Sequence, residues 1–213
     1  MEIKEGYGQT ETTLLVGTLY GMPSRRGAMG KPSPLYRLKI VDSDNNECPA
    51  GEQGEIVVVP TDRRKFGLCI SYDNDEAADL RAWKNGVYHT GDIAYADADG
   101  YYWYVGRADD IIKSSGYRIG PFEIESVLIQ HPAVLECAIT GVPDPERGYI
   151  VKATIVLQPG YTGSPELTKE LQNFVKQATA PYKYPRAVEY VKELPKTISG
   201  KIKHYTIRQQ DQR

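Results

Sequence analysis

Thr10 and Glu11 place a hydroxyl beside a carboxylate, directly after a glycine-flexed turn at Tyr7-Gly8. Such hard oxygens are the ligands that Mg²⁺ shares with the phosphates of a nucleotide. The pair could therefore hold a phosphate and its Mg²⁺. A capped helix start would explain the same residues, so this segment alone leaves both interpretations open.

A second carboxylate stands at the end of the segment Tyr88-His89-Thr90-Gly91-Asp92. An aspartate after a tight turn presents two acceptor oxygens, which suit paired hydroxyls such as those of a ribose. The same side chain could instead satisfy the backbone of its own turn.

A third segment, PKTISGK at residues 195–201, presents Lys201 from a glycine-containing loop. The spacing of a Walker phosphate loop is missing. A mobile lysine could still stabilise charge that develops on a phosphate oxygen during transfer. A basic surface turn is the alternative.

The fourth segment, GRADDIIKSSGYRIGPFEIE at residues 106–125, joins two parts of the sequence with different patterns. Linkers between modules are normally soft and polar, whereas this one is dense in charge and glycine. Gly116 allows a backbone or a ligand to come close. Four charged residues could exchange ion-pair partners when such a joint turns: Arg107, Asp109, Asp110 and Lys113. An ordinary β-hairpin with a charged edge is the alternative.

The elements around these segments predict an α+β fold. Residues 30–105 contain short apolar or aromatic runs between turn residues, which is typical of a small antiparallel sheet or barrel. Beyond residue 120 the pattern predicts a helix from Pro121, two strands, a helix that begins at Ser164-Pro165, and a last strand. This order describes a compact α+β domain.

We therefore place a β-barrel-like subdomain at residues 1–105 and an α+β domain at residues 106–213. The opening MEIKEGYGQTE resembles the end of a strand and a turn, which suggests a piece of a longer protein.

The composition excludes several classes of protein. The 213 residues include 26 basic and 28 acidic side chains, so the net charge of -2 implies no general field for nucleic acid. The aromatic run at residues 101–104 has no interleaved basic residues and predicts sheet packing rather than base stacking. The three cysteines lack metal-ligand spacing, and neither a membrane-spanning run nor a signal peptide is present. We therefore predict a cytoplasmic protein without a membrane span or a nucleic-acid partner.

In their order and distances, the four segments resemble the adenylate-forming superfamily of acyl-CoA synthetases, nonribosomal adenylation domains and luciferases. The matching motifs are YGQTE, YHTGD, GRADDIIKSSGYRIGPFEIE and PKTISGK, and they cover the chain from end to end. The stretches GQTETTLL, SSGYRIGPFEIE and APYKYPR resemble medium-chain acyl-CoA synthetases in particular. The phosphate loop of the family and most of its acyl pocket lie N-terminal to YGQTE, and nothing in this sequence matches them.

The resemblance implies a reaction in two steps. A carboxylic acid is first joined to the AMP part of ATP, with release of pyrophosphate, and the acyl group then passes to the thiol of CoA. For the first step it implies that Thr10 binds phosphate, Glu11 Mg²⁺ and Tyr7 the adenine face, with Lys201 as the adenylation lysine. Asp92 would bind the ribose hydroxyls. The implied ATP and AMP contacts are Gly6, Tyr7, Gly8, Gln9, Thr10, Asp92, Arg107 and Lys201.

For the second step the resemblance implies that the C-terminal domain is a mobile lid that swings about a hinge at Asp109. The swing replaces the Lys201 loop with the face around Gly116, which leaves room for the pantetheine arm of CoA. The implied CoA contacts are Ser115, Gly116, Tyr117, Arg118, Arg147, Lys176, Tyr184, Pro185 and Arg186. For Arg147 and Lys176 a solvated surface is the alternative.

Gly8 indicates which kind of carboxylic acid the enzyme would use. Relatives dedicated to acetate carry a tryptophan at this place, which closes the acyl pocket, so the resemblance favours a longer or aromatic acid. Taken together, the resemblance predicts that this chain is the C-terminal part of an acyl-CoA synthetase and that it is inactive on its own. Its partners would be the acid, ATP, CoA and an N-terminal domain of the same protein. An adenylation domain that loads a carrier protein and a stand-alone CoA-binding or interaction module remain alternatives.

Overall fold

The computed structural model describes residues 3–61 and 67–211, and the chain divides into two compact units, Met1–Ala108 and Asp109–Arg213. This division comes shortly after the predicted boundary because Gly106 and Arg107 still pair with a strand of the first unit. None of the described helices is long and apolar enough to cross a membrane.

The first unit contains two antiparallel sheets. The smaller sheet has the order β1-β2-β3, with β1 at Gly6–Gly8, β2 at Leu14–Gly17 and β3 at Lys31–Pro32. A bridge between Gly30 and Tyr102 connects it to the larger sheet, as a barrel-like arrangement requires.

The larger sheet has the order β4-β5-β7-β6, with β8 also paired to β7. Its strands are β4 (Arg37–Val41), β5 (Gly54–Val59), β6 (Trp83–Lys84), β7 (Val87–Ala96) and β8 (Tyr102–Arg107). A short helix, α1 (Glu76–Ala82), precedes β6 and is capped by Asp75. The sequence analysis did not predict this helix.

The alternation of side chains along β7 determines which of its polar residues are buried in the first unit. Tyr88, Thr90, Asp92 and Ala94 are buried on one face, since successive side chains of a strand point to opposite sides. The core behind them is formed by aliphatic and aromatic residues, among them Leu15, Val16, Ile40, Ile56 and Val58. Asp92 is therefore a charged group placed in a core position.

The second unit is a mixed sheet with helices on both faces. The strand order is β10-β9-β12-β11, and β13 pairs parallel to β12. The strands are β9 (Ile112–Ser114), β10 (Tyr117–Ile119), β11 (Val134–Asp144), β12 (Gly148–Leu157) and β13 (Ala187–Tyr190). The helices are α2 (Pro121–Leu128), α3 (Pro165–Ala178) and α4 (His204–Asp211), with a 3-10 turn at Pro181–Lys183. The predicted α+β class is confirmed.

The two predicted helices begin where the sequence places them. Pro121 occupies the first turn of α2, and the Ser164 hydroxyl accepts the Leu167 N–H at 3.1 Å to cap α3. Both helices pack on one face of the sheet through Ile124, Leu128, Leu167, Leu171 and Val175.

Helix α4 covers the opposite face and was not predicted. Ile207 is its only buried residue among those described, and it packs against Ala138, Val156 and Leu194. One buried side chain in eight residues gives no helical period in the sequence.

The buried cysteine of the second unit is Cys137. Burial raises the pKa of its thiol to about 12, so it stays protonated at neutral pH.

Glu125 of α2 ties three elements of the second unit together. Its Oε1 atom accepts the backbone N–H of Ile139 on β11 and the Nε2–H of His204 at the start of α4, both at 2.8 Å. The bond to Glu125 raises the pKa of His204 and outweighs the opposite effect of burial.

We expect this pair to make the second unit more stable at low pH. A raised folded-state pKa means that the stabilisation is complete below the unfolded value of about 6.5 and is lost as pH rises through the folded value. The difference in unfolding free energy between wild type and His204→Gln should therefore shrink as pH rises above about 6.5. Hydrogen exchange of the Ile139 amide measures this unfolding free energy within the second unit.

The matched control is Glu125→Gln, which keeps an acceptor for Ile139 but removes the charge. It should abolish the same pH dependence. A His204→Gln effect that stays constant across this range would contradict the ion pair.

Candidate functional site

Asp92 is the centre of a hydrogen-bonded cluster in the first unit. Its Oδ2 atom accepts the Tyr7 hydroxyl and the Gln9 Nε2–H, both at 2.6 Å. Its Oδ1 atom accepts the Tyr104 hydroxyl at 3.1 Å and lies 3.7 Å from Nη1 of Arg107. The residue is only 4% exposed. A buried carboxylate is tolerated when several donors replace its water, and this cluster provides them.

The Tyr7 donor of the cluster stays protonated. Burial and the negative charge of Asp92 raise the pKa of the Tyr7 hydroxyl, so Tyr7 remains a donor. Its ring centroid lies 6.3 Å from that of Tyr104 in a tilted arrangement. The half-buried Tyr7 ring is the part predicted to meet adenine.

Gln9 connects the same cluster to β7. Its Nε2 also donates to the Thr90 carbonyl at 2.8 Å, and its Oε1 accepts the Tyr88 hydroxyl at 3.0 Å. The side chain of Gln9 therefore binds protein groups, and its predicted contact with the nucleotide stays a prediction.

Thr10 and Glu11 follow Gln9 in a turn, not at a helix start. The Thr12 N–H donates to the Gln9 carbonyl at 3.1 Å, and the Gln9 N–H donates to Thr12 Oγ1 at 2.9 Å. Thr10 is exposed, and Glu11 Oε1 accepts the Tyr72 hydroxyl at 3.1 Å. The exposed Thr10 is accessible to solvent, and its contact with a phosphate stays a prediction.

The fit of Mg²⁺ to this turn rests on one carboxylate. No group of three or more acidic, histidine or cysteine side chains in the described part of the chain could hold a metal ion. Mg²⁺ in nucleotide sites is usually held by one or two carboxylates together with the phosphates. Glu11 is thus compatible with a nucleotide-bound ion and not with a site built from protein alone.

Gly8 is required by close packing in the small sheet, whereas the close contact at Gly6 is with the end of the flexible Leu14 side chain. A Cβ atom on Gly8 would lie 2.3 Å from the Thr13 carbonyl oxygen, and one on Gly6 would lie 2.8 Å from a methyl of Leu14. Gly8 therefore has a local structural reason to lack a side chain. Its predicted effect on the acyl pocket stays a prediction.

Glu55 organises the turn before Asp92, and the sequence analysis missed it. Its Oε1 accepts the Gly91 N–H at 2.8 Å, while its Oε2 lies 2.9 Å from Nδ1 of His89. Gly91 has a φ of 70°, which favours glycine. Arg107 lies over this turn and donates to the Thr90 carbonyl at 3.1 Å. The register of β5 against β7 brings Glu55 to this turn, and the register of β8 against β7 brings Arg107.

Lys201 lies in the second unit on a tight exposed loop. The Thr197 N–H donates to the Lys201 carbonyl at 2.8 Å, and the Lys201 N–H donates to Thr197 Oγ1 at 3.0 Å. Gly200, with a φ of 85°, completes the turn. Among residues 3–61 and 67–211, the Lys201 ammonium has no hydrogen-bond or ion-pair partner. The loop thus presents a fixed backbone and an available cation.

Ser115 and Gly116 form the turn between β9 and β10. Their φ values are 48° and 83°, as a two-residue hairpin turn with two left-handed positions requires. Nothing lies within 4 Å of a Cβ built on Gly116. The Arg147 backbone and guanidinium both contact Ser115, at 3.0 Å and 3.2 Å. The structure therefore brings Ser115, Gly116 and Arg147 together.

A second group of predicted residues surrounds the ring of Tyr184. Lys176 Nζ lies 3.9 Å and Arg186 Cζ 4.8 Å from the ring centroid, and Arg186 donates to the Tyr184 hydroxyl at 2.8 Å. The Pro185 carbonyl accepts Gln172 Nε2 at 3.0 Å, which fixes this corner to α3.

Tyr117 and Tyr182 link this corner to the hairpin. Their rings stack with centroids 4.1 Å apart. Tyr182 was missed, and only its position in APYKYPR could have indicated it. Arg118 follows Tyr117 on β10 and is exposed.

Asp109 begins the second unit. Its side chain is 66% exposed and lies 4.0 Å from Arg208 of α4, which also pairs with Asp110. Arg208 was not among the predicted partners of these aspartates, because α4 was not predicted.

Two family models match the chain. The AMP-binding enzyme model matches residues 1–59, and the AMP-binding enzyme C-terminal domain matches residues 123–201. The first match contains Thr10 and Glu11, and the second contains Arg147, Lys176 and Lys201.

Curated relatives cover the chain almost completely. It is 50% identical over 213 residues to acyl-coenzyme A synthetase ACSM3, mitochondrial, of Homo sapiens, covering 99% of this chain and 36% of that protein. It is 45% identical over 212 residues to 4-hydroxybutyrate--CoA ligase 1 of Metallosphaera sedula, covering 100% of this chain and 37% of that protein. The chain thus spans little more than a third of the length of these relatives.

Solved structures agree with the sequence matches. Anthranilate CoA ligase AuaEII in complex with anthranoyl-AMP is 38% identical, with a TM-score of 0.86 over 99% of this chain and 40% of that chain. The o-succinylbenzoate CoA synthetase MenE of Bacillus subtilis, in complex with OSB-AMP, is 32% identical. Its TM-score is 0.83, and the match covers 96% of this chain and 40% of that chain. The chain therefore belongs to the adenylate-forming superfamily of AMP-binding enzymes, and it matches the part of the named CoA ligases that includes the C-terminal domain.

Proposed function

We propose that this chain acts within an ATP-dependent acyl-CoA synthetase, which converts a carboxylic acid, ATP and CoA into acyl-CoA, AMP and pyrophosphate. The observation that carries the proposal is about 50% identity to named acyl-CoA synthetases over 99% of the chain. Because the chain spans about 37% of the length of those relatives, the activity belongs to the whole protein, including an N-terminal domain.

In the first half-reaction, a carboxylate oxygen of the acid attacks the α-phosphorus of ATP. The bond from that phosphorus to the bridging oxygen breaks, and pyrophosphate leaves. Thr10 and Glu11 contact the phosphates and their Mg²⁺, which supplies positive charge to the phosphate oxygens when bound. The Asp92 cluster fixes the turn that carries both residues, through Gln9. The Lys201 ammonium stabilises the charge that develops on the transferring phosphate.

In the second half-reaction, the sulfur of CoA attacks the acyl carbon and AMP leaves. The open space at Gly116 admits the pantetheine arm. Three cations suit the phosphates of CoA: Arg147 beside the hairpin turn, and Lys176 with Arg186 on the ring of Tyr184. Lys201 and Gly116 lie on different loops of the second unit, so a rotation at Asp109 would exchange one for the other.

The acid is a medium-chain or aromatic carboxylate rather than acetate, and fatty-acid metabolism is the corresponding pathway class. Gly8 supports this choice because it offers no side chain to close a pocket. A cytoplasmic location is part of the proposal and rests on three cysteines that form no disulfide. The mammalian relatives are named as mitochondrial proteins.

The two loops of the second unit should serve different half-reactions. In the full-length enzyme, we expect Lys201→Ala to reduce pyrophosphate exchange by roughly 10²–10³-fold, because a charge-stabilising contact is lost. Thioester formation from a supplied acyl-adenylate should remain near the wild-type rate. Gly116→Leu should do the reverse, since its side chain fills the path of the pantetheine arm. Both assays are run on each variant.

Two control variants match these changes. Lys203→Ala removes an exposed lysine close to Lys201, and Gly160→Leu substitutes a glycine with a φ of 93° and the same open surroundings as Gly116. Neither control should separate the half-reactions. Equal losses in both assays for Lys201→Ala and for Gly116→Leu would contradict the two-loop mechanism.

CoA should bind mainly through its phosphates. In the full-length enzyme we expect the Arg147→Ala, Lys176→Ala double variant to weaken CoA binding roughly tenfold, since each exposed charge pair is worth up to about 1 kcal/mol. Calorimetry should show wild-type affinity falling with salt, because such charges are screened over about 8 Å. The Lys169→Ala, Lys192→Ala variant removes the same charge elsewhere and serves as control. Unchanged CoA affinity in the first variant would refute this assignment.

A further inference from the structure

The loop that carries Lys201 has a narrow base of paired backbone. An antiparallel bridge joins Lys196 to Ile202, and the Lys203 N–H donates to the Pro195 carbonyl at 2.8 Å. The two ends of the loop therefore lie side by side. Because the tip of the loop is exposed, the position of the Lys201 ammonium depends on how this base is anchored.

In the described part of the second unit, one apolar contact and two ion pairs anchor the base of the loop. Ile202 packs against the apolar cluster beneath α4. The Lys196 ammonium donates to Glu136 Oε1 on β11 at 2.6 Å. His204, two residues after Ile202, donates from Nε2 to Glu125 Oε1 on α2 at 2.8 Å. Since His204 is also the first residue of α4, this bond fixes the loop and the helix at one point.

The pair of His204 and Glu125 is the more sheltered of the two ion pairs. Its side chains are 24% and 20% exposed, against 39% and 33% for Lys196 and Glu136. Exposed ion pairs contribute little because water and salt screen them. Glu125 is itself held in place, since it also accepts the Ile139 N–H at 2.8 Å. The loop is thus joined to β11 through a carboxylate that is fixed on both sides.

The strength of this anchor depends on the charge of the imidazole. The hydrogen bond to Glu125 raises the pKa of His204, burial opposes that effect, and the backbone of Ile202 adds to it. The protonated ring is therefore favoured in the folded protein. A charge-assisted hydrogen bond is roughly twice as strong as a neutral one, so the anchor weakens when His204 loses its proton.

The other charged groups around the start of α4 are already paired with one another. These pairs are Lys196 with Glu136, Arg208 with Asp110, and Lys152 with Asp211 at the far end of the helix. The Cys137 thiol of β11 stays protonated, with a pKa of about 12. Carboxylates, lysines and arginines ordinarily titrate outside about pH 6.5–9, whereas imidazole titrates near the lower edge of that range. A pH dependence of the loop in this range therefore belongs to His204.

We propose that His204 and Glu125 are positioning residues for Lys201, and that their ion pair holds the loop so that the ammonium meets the charge that develops during adenylation. The inference rests on the role proposed above for Lys201. Both residues act through the loop and not on the substrates. A charged group contributes most to a reaction when it is held in place beforehand, which is what this pair provides. The Ser115-Gly116 turn is supported by Arg147 instead, so the second half-reaction does not depend on the pair.

The test uses both half-reactions of the full-length enzyme between about pH 6.5 and 9. His204→Gln keeps a neutral donor for Glu125 and removes the charge. At the lower pH it should reduce pyrophosphate exchange roughly fivefold, as expected when a charge-assisted hydrogen bond becomes a neutral one. Thioester formation from a supplied acyl-adenylate should stay near the wild-type rate. The ratio of wild type to variant in pyrophosphate exchange should approach one as pH rises, because wild-type His204 then becomes neutral as well.

A second variant and a matched control separate positioning from stability. Glu125→Gln keeps an acceptor for Ile139 and should cause the same selective loss, and the double variant with His204→Gln should lose no more than either change alone. His131→Gln removes a histidine that lies 3.2 Å from Glu170 of α3, in the same unit. This control should not separate the two half-reactions.

Lys201→Ala, assayed in parallel, distinguishes the two ways in which the inference could fail. If Lys201→Ala leaves pyrophosphate exchange intact, the proposed role of the loop is wrong and the positioning role fails with it. If Lys201→Ala loses exchange, three results overturn the positioning role alone. They are unchanged exchange in His204→Gln at about pH 6.5, equal losses in both half-reactions, and a ratio of wild type to variant that stays constant with pH.

Discussion

The first unit depends on one buried charge. Burying a carboxylate is costly unless donors replace its water, and Asp92 meets this condition with donors from separate segments. Tyr7 and Gln9 come from the region of β1, while Tyr104 and Arg107 come from β8. The same charge therefore ties together Tyr7, Gln9 and Arg107, three of the residues proposed to contact the nucleotide. Thr10 and Glu11 follow Gln9 directly, so their turn takes its position from Asp92.

The second unit is organised differently. Its proposed functional residues lie on turns and corners, on β10 at Tyr117 and Arg118, and on α3 at Lys176, and the packed frame holds them. Glu125 joins α2, β11 and the start of α4, which directly follows the loop of Lys201. The Ser115-Gly116 turn is held by Arg147 instead. Separate supports allow two loops of one unit to serve two steps.

Sequence patterns predicted the parts of this fold that have a strong period or a cap. Helix α3 shows both, with Ser164 at its start and Leu167, Leu171 and Val175 on one face. Among its described residues, helix α4 buries only Ile207, so its sequence has no helical period from which the helix could be predicted. The partners of Asp92 and Gly91 could not be predicted, because Tyr104 and Glu55 reach them only through strand register. For Asp92 the sequence left two interpretations open, and the structure places its carboxylate among protein donors.

The central claim is that Asp92 holds the first unit together through its donors, and a double-mutant cycle with Asp92→Asn and Tyr7→Phe tests it most directly. Urea unfolding of the 213-residue chain is followed by tryptophan fluorescence, since both tryptophans, Trp83 and Trp103, lie in the first unit. The account predicts a coupling free energy of about 1–3 kcal/mol between the two substitutions. Effects that add to within about 0.5 kcal/mol would contradict it.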